Sequence, residues 1–394
     1  MKFRIDMSGR ALEYTDDEIA LITDVAKNAD PLTQGPYLEN FENKMKKYLG
    51  VEHAFGVTSA ASALELIAVL CELKAGDEVI IPSHTYCVSA IPFGRTGAKI
   101  IWADIDPENF VISVSDIKKK ITKNTKAVVV VHLYGQSCDM APILKICSDN
   151  NLKLVEDCAQ SIGAKYQGKL VGSFGDYSCF SFHAQKNITT LGEGGILVVK
   201  DKNEALKVGG LRHNGHASYG EREDYWKPAM SNVDIDMKGV WPFNFSLSEV
   251  QAALGAKLLD RVDFLNNQRR EKAIKFIGEM SDYPELMFQN TEDELQNVRH
   301  LLPAKYDGSK FGKSNDDLIA LLSRKFGIKA IVQYYPLNRY PLFKKMGFGQ
   351  ADCPNSDDFF DNMVSLPFHH WMSDEDFLYM IDSVKLALNI LREE

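Results

Sequence analysis

The hydrophobic positions of this chain fall into two patterns that alternate over its first half. Short unbroken apolar runs rich in Val and Ile occur at HAFGVT (53–58), EVIIP (78–82), KIIWADI (99–105), AVVVVHLYG (127–135), KLVED (153–157), YSCFSF (177–182) and GILVVK (195–200). Runs this short, without polar alternation, suit strands buried on both faces of a sheet. Stretches of helical period lie around them. Residues 15–29 and 37–49 precede the first run, AASALELIAVLCEL (60–73) follows it, and 139–150 separates two others. Segment 60–73 has so little polar surface that it predicts a helix buried on most sides. Strand, helix, strand in repetition predicts an α/β domain built on a mostly parallel sheet.

Near residue 200 the alternation ends. SLSEVQAALGAKLLDRVDFLNNQRREKAIKFIGEM (246–280) reads as a long helical region. Ser246 or Ser248 is placed to cap its start, and Val250, Ala253, Leu254, Lys257 and Leu258 keep helical spacing. Beyond about 262, expected strands near 297–305 and 328–335 mix with helices near 314–326 and 373–392. That mixture predicts a smaller α+β domain. The expected division is a large domain over 1–255, including the N-terminal helical segment, and a small C-terminal domain over 256–394.

Composition narrows the field by exclusion. With 394 residues, 45% hydrophobic and 25% charged, the chain has material for a full core and is not a disordered one. Basic residues number 45 against 54 acidic, a net charge of −9, which argues against a nucleic-acid surface but allows a local pocket for one phosphate. No apolar stretch approaches the roughly 20 residues of a membrane span. The opening MKFRIDMSGRALEY lacks the apolar centre of a secretory signal, so a cytoplasmic protein with no membrane partner is expected. The seven cysteines are odd in number and form no CxxC pair. They read as reduced thiols, with Cys158 and Cys179 packed in apolar segments, and not as a disulfide frame or metal site.

Ligands of open α/β sheets bind beyond the C-terminal ends of strands, so candidate chemistry belongs there. TSAASA (58–63) joins a strand to a helix, and its small residues and free helix-start amides suit a phosphate. Taken alone, it is better read as a turn capped by Ser59. Glu156 and Asp157 end an apolar run, where a carboxylate is a solvated group, a cap, or the partner of a cation such as a protonated ring nitrogen. Lys186 lies about four residues past another strand, in CFSFHAQKNITTLGEGGILVV (179–199). A surface charge is the ordinary reading of a lysine; in a partly buried polar pocket it becomes an amine nucleophile. His183 has no neighbouring ligands at metal spacing, and GEGG (192–195) is not a dinucleotide fingerprint. Neither a GxSxG elbow nor a Walker A sequence occurs. A phosphate cradle, a carboxylate, an aromatic residue and a lysine at the strand ends of one sheet are together what pyridoxal 5′-phosphate (PLP) requires.

The sequence also resembles a known family. TQGPYLENFE (33–42), GDEVIIPSHTYCVSA (76–90), HLYGQ (132–136), VEDCAQSIGAKYQGKLVGSFGD (155–176), SFHAQKN…GEGG (181–195), FNFSLSEVQAALG (243–255), QYYPLNRYPLF (333–343) and SLPFH (365–369) match, in order, stretches of the DegT/StrS-type PLP-dependent sugar aminotransferases. The resemblance implies the aspartate aminotransferase fold (type I): a large domain with a mostly parallel mixed sheet flanked by helices, and a smaller α+β domain. It implies that Lys186 is the Schiff-base lysine, Asp157 the partner of the pyridinium nitrogen and Gln160 that of the ring hydroxyl. Tyr86 matches the aromatic side chain on the ring face. Ala60, Ala61 and Ser181 match phosphate-binding positions, and Asn244 an asparagine that reaches the phosphate from the neighbouring subunit of a homodimer with a shared active site.

The match is not uniform. Ala61 stands where threonine is common, Ser246 where arginine is usual, Asn214 where histidine ends an arginine-x-histidine run, and Asn338 where histidine follows proline-leucine. Segment 216–242 is long and carries aromatic and charged residues. These departures fall in regions that contact substrate in the family, which predicts standard cofactor chemistry and an unusual acceptor pocket. The implied activity is amino transfer from L-glutamate to a nucleotide-linked 3- or 4-keto-deoxyhexose. The family's sugar dehydratase branch carries histidine in place of the lysine; dehydration, a cyclitol acceptor and a non-catalytic sugar-nucleotide-binding regulator are the alternatives.

Overall fold

The computed structural model describes residues 2–216, 233–291, 293 and 296–393. Two helices come first, α1 (Asp16–Asn28) and α2 (Pro36–Leu49). Thr15 and Glu18 close the start of α1 with reciprocal bonds, each accepting the other's backbone amide. Pro36 opens α2, and Gly50, at φ 69°, ends it in the left-handed conformation glycine adopts at least cost.

The main sheet contains β1 (Ala54–Val57), β2 (Glu78–Pro82), β3 (Lys99–Ala103), β4 (Thr125–Val131) and β5 (Lys153–Asp157). A separate hairpin, β6 (Lys165–Tyr166) and β7 (Lys169–Leu170), precedes its last two strands, β8 (Tyr177–Ser181) and β9 (Gly195–Val199). The spatial order is β1-β9-β8-β5-β4-β2-β3. Strands β3, β2, β4, β5 and β8 pair in parallel, while β9 runs against both β8 and β1. The seven apolar runs of the sequence are these seven strands.

Side chains of a strand alternate between faces, and two cores result. Val79, Ile81, Val129 and Val155 pack under α3 (Ala60–Leu70), α4 (Ile91–Arg95) and, further on, α7 (Lys202–Arg212). Ile80, Val128, Val130 and Leu154 face the other way, towards α5 (Val114–Lys120) and α6 (Met140–Asp149). Helix α3 is buried nearly all round, as its composition predicts.

The long helical region is two helices, α8 (Glu249–Leu259) and α9 (Val262–Glu279), separated at Asp260 and Arg261. Ser248, not Ser246, caps α8, in a box with Gln251. The buried carboxylate of Glu249 accepts the amides of Gly35 at 2.9 Å and Tyr37 at 2.7 Å. It thereby satisfies the start of α2 and docks α8 against it. Helix α9 passes from one core to another: Val262 and Leu265 pack with α2 and α8, Ala273 and Phe276 with the C-terminal part.

That part holds a three-stranded antiparallel sheet, β10 (Leu286–Phe288), β11 (Pro303–Tyr306) and β12 (Met363–Ser365). Helices α10 (Asn315–Phe326) and α13 (Asp374–Glu393) pack with it, while α11 (Pro341–Lys345) and α12 (Pro354–Asn362) send Phe343 and Phe359 into the cores of the main sheet. Two expectations change here. The strand near 297–305 is confined to β11. Residues 328–335 are not a strand: Ile328 bridges to Ile5 and Ile331 to Ser365, and pairing stops there. The Gln333 carbonyl instead accepts the Tyr134 hydroxyl at 2.8 Å, which turns the chain towards the strand ends of the main sheet.

Candidate active site

The parallel strands deliver their C-terminal ends to one edge, and most of the candidate residues lie there. Asp157 is the last residue of β5 and is buried. Its Oδ2 accepts the Ser89 hydroxyl at 2.7 Å and its Oδ1 accepts the Ala159 amide at 3.0 Å. The Cys179 thiol lies 3.6 Å from Oδ1. These contacts fix the carboxylate before any ligand arrives. Glu156, one residue earlier, points to the opposite face. There it accepts His132 Nε2 at 3.1 Å and the amides of Gly172 (2.8 Å), Phe174 (2.8 Å) and Gly175 (2.7 Å). His132 Nδ1 accepts the Cys138 amide, so the proton sits on Nε2 and a neutral imidazole suffices to donate. Cys158 lies near this pair, and the three side chains have the proximity of metal ligands. The bonds of His132 and Glu156 are spent on holding loop 172–175, which gives the group a structural job.

Lys186 lies in the loop between β8 and β9, its amide donating to the His183 carbonyl at 2.9 Å. Burial draws its amine down to a pKa of about 8, although Asp157, Cys179 and Glu193 pull the other way. Ser181 ends β8, and its hydroxyl accepts the His183 amide at 3.3 Å. Any pairing of Ser181 with His183 is thus through the backbone.

Ala60 and Ala61 open α3, where Ser59 caps the Ser62 amide at 3.1 Å. The first amides of a helix lie outside its own ladder and carry the positive end of its dipole. The last glycine of GEGG acts here by closeness. A Cβ on Gly195 would lie 2.5 Å from the Ser59 carbonyl carbon and 2.7 Å from the Ala60 nitrogen. Glycine therefore lets β9 press against the first turn of α3.

Gln160 is buried, and both ends of its amide are engaged. Its Oε1 accepts the Tyr134 amide at 2.8 Å and its Nε2 donates to the Tyr334 hydroxyl at 3.0 Å. Tyr134 holds φ 63° to present that amide. The Tyr134 and Tyr334 rings stack at 6.2 Å, and the Tyr134 hydroxyl meets His84 Nε2 at 2.7 Å. Tyr86 follows β2, meets Tyr334 edge-on at 5.9 Å and is 54% exposed. Its ring face is thus open at the strand ends.

Asn244 is exposed, on a segment whose Phe245 carbonyl accepts the Thr58 amide at 3.0 Å, just before α3. The sequence departures divide by place. Ser246 Oγ lies 2.9 Å from His213 Nδ1, and Asn214 donates its amide to the Phe243 carbonyl at 2.8 Å, so these two meet around His213. Asn338 is buried elsewhere, beside Leu337, whose amide donates to the Ser83 carbonyl. Of the long segment 216–242, residues 217–232 lie outside the described residues.

Sequence reasoning named no role for Ser89, Tyr134 or Tyr334, although each lies in a quoted motif. It gave no sign of Arg269 and His300, which border a cavity beside Lys186.

These residues fit PLP. The first amides of α3, at Ala60 and Ala61, lie outside the helix's own ladder beside β9, Asp157 is anchored at a strand end, and Lys186 has an amine of lowered basicity. Fold and site together define a PLP-dependent aminotransferase. The pattern of the DegT/DnrJ/EryC1/StrS aminotransferase family matches residues 13–385, and the chain belongs to that family. The dTDP-3-amino-3,6-dideoxy-alpha-D-galactopyranose transaminase of Aneurinibacillus thermoaerophilus is 34% identical over 350 residues, 89% of this chain and 90% of that one. The GDP-perosamine synthase of Escherichia coli O157:H7 is 31% identical over 352 residues, again 89% and 90%. Among solved structures, Helicobacter pylori PseC, an aminotransferase involved in the biosynthesis of pseudoaminic acid, superposes with a TM-score of 0.86 at 27% identity, over 99% of this chain and 100% of that one.

Proposed function

We propose that this enzyme transfers an amino group from L-glutamate to the keto carbon of a nucleotide-linked deoxyhexose, as a homodimer, in the making of an amino sugar. The names of its relatives support a nucleotide-linked sugar. The observation that carries the chemistry is the Lys186 amine, held near a pKa of about 8 at the same sheet edge as Asp157.

Bound PLP supplies an aldehyde that condenses with amines and a ring that takes up the electrons of a broken Cα–H bond. The protein's part follows from its geometry. Asp157, fixed by Ser89 and the Ala159 amide, holds a positive ring nitrogen and keeps it protonated. Gln160, its carbonyl occupied by Tyr134 and one Nε2 hydrogen by Tyr334, would offer its remaining Nε2 hydrogen to the ring oxygen. The amides of Ala60 and Ala61, with the Ser181 hydroxyl, receive the phosphate. Lys186 would hold the cofactor through its Nζ, and that amine, when free, would take the proton from the donor's Cα. A pKa near 8 leaves the neutral amine more abundant at pH 7 by about two orders of magnitude than in an ordinary lysine.

Exposed apolar side chains support the dimer. Trp241 is 86% exposed three residues before Asn244, and Leu32, half exposed, lies beside the start of α8. A second subunit over this face would cover them and bring its Asn244 towards the phosphate.

The test is the visible absorption of the PLP form before and after L-glutamate. Loss of the band with glutamate, release of 2-oxoglutarate, and ping-pong kinetics with a keto-sugar acceptor are expected. A stable band with deoxy-sugar product and no glutamate consumed would replace transamination by dehydration.

A further inference from the structure

Beside Lys186 lies a cavity of about 150 Å³ whose lining carries basic side chains and no acidic one. Arg10, His183, Lys186, Arg269, His300 and His369 border it, and no acidic residue does. Arg269 is the unusual member. It is 1% exposed, and among the described residues it has no carboxylate partner. Its two terminal nitrogens reach backbone carbonyls only, Nη1 that of His300 at 3.2 Å and Nη2 that of Ala11 at 3.5 Å. Its Nε has no partner. His369 Nδ1, buried in the same lining, also has none.

A buried charge without a counterion is expensive, and a buried donor left unpaired adds to the cost. Burial draws Arg269 down to about 10, so the guanidinium keeps its charge at neutral pH. The same burial draws His369 down to about 4, leaving it a neutral donor or acceptor. Such a group of unsatisfied donors calls for an oxyanion. Two kinds come near Lys186 in the proposed reaction, the carboxylates of the amino donor and the phosphates of the nucleotide. The volume favours the first, since a site for a drug-sized ligand begins at roughly 300 Å³, about twice this one.

We propose that Arg269 anchors a carboxylate of the amino donor in this cavity, with His369 as the second contact, so that the donor's amine is directed to the Lys186 side. The inference rests on Lys186 being the residue that meets the donor. The guanidinium is held by the Ala11 and His300 carbonyls, which fixes the direction of Nε before the ligand enters. The site also links the N-terminal segment, the Lys186 loop and the C-terminal part, because Ser8, Gln185 and Phe368 share the lining.

The test is calorimetric binding to the PLP-loaded protein, with glutarate, its diamide glutaramide, and the diphosphates of uridine, guanosine and thymidine as probes. Wild-type protein is expected to prefer glutarate to glutaramide by about tenfold or more. Arg269→Gln should erase that preference and raise KM for L-glutamate by at least about tenfold, with nucleoside diphosphate affinity unchanged. Arg269→Lys should recover part of both. Equal affinity for glutarate and glutaramide in the wild type overturns the proposal even if neither variant folds. So does a loss that falls on the nucleoside diphosphates instead of glutarate. A purely structural arginine would lower the melting temperature and leave the glutarate preference intact. If glutamate discharges the visible band while Arg269→Gln keeps full glutarate affinity, the subsite fails and the aminotransferase reading stands. Glutarate held through Arg269 in a protein unresponsive to glutamate would uphold the subsite and remove glutamate as donor.

Discussion

An unperturbed lysine amine keeps its proton up to about pH 10.4; that of Lys186 gives it up near about 8, because the loop between β8 and β9 holds it out of water. Folding lowers this pKa, so the fold favours the neutral amine. In the cofactor-free protein, stability then rises as pH climbs from about 8 to the unfolded value, and the full cost is borne below 8. Two outcomes follow. Attachment of PLP to the cofactor-free protein should speed up with pH around a midpoint near about 8, read from the growth of the visible band; a midpoint above 10 would contradict the buried setting. Lys186→Met should abolish transamination and stabilise the cofactor-free protein at neutral pH by about 3 kcal/mol in denaturant titrations. At this scale the sequence was partly legible. Lys186 and Asp157 stand at strand ends that the apolar runs mark. Yet Glu156 and Asp157 look alike as neighbours in a string, and only the alternation of a strand sends one to the site edge and the other under loop 172–175. Arg269 is one basic residue among many in a helical stretch, and its burial depends on segments far away in sequence.

Elements are held to one another by a few bonds that can be cut singly. Glu156 satisfies three loop amides at once. Glu156→Ala should leave them orphaned and cost about 3–5 kcal/mol, with the amides of Gly172, Phe174 and Gly175 losing protection in hydrogen exchange. Retained protection would mean that the loop holds itself. At Gly195 the strand meets the helix start too closely for any side chain. Gly195→Ala should cost about 1–3 kcal/mol and weaken PLP binding by moving β9 away from Ala60. Unchanged PLP affinity, measured by equilibrium dialysis, would show that the cradle does not depend on that contact. Most of these elements were legible, because buried parallel strands write unbroken apolar runs. Residues 328–335 were not, because the same apolar run serves a segment that leaves its partner after Ile331 and carries Tyr334 against Tyr134 and Gln160.

For the whole molecule, Trp241 and Asn244 mark an exposed face. If each site takes its lysine from one subunit and its asparagine from the other, two inactive variants complement each other. Lys186→Ala and Asn244→Asp, mixed after unfolding and refolding together, should regain activity through hybrid dimers in which one site is intact and the other carries both lesions. No recovery from hybrids shown to form would place Asn244 outside the partner's site. A second subunit would be written nowhere in one chain's hydrophobic pattern; Trp241 is the exposed apolar side chain it would cover. Ser246 and Asn214 are equally illegible, since they meet around His213 through hydrogen bonds that leave no mark on the hydrophobic pattern.

The central claim is that Lys186 carries the cofactor. Borohydride reduction of the PLP-loaded protein, followed by digestion and peptide mass spectrometry, tests it directly. The expected result is a pyridoxyl-phosphate mass on the peptide containing Lys186, removed when excess L-glutamate is added before reduction. The label on a different lysine, or no label in a protein that binds PLP, would contradict the account.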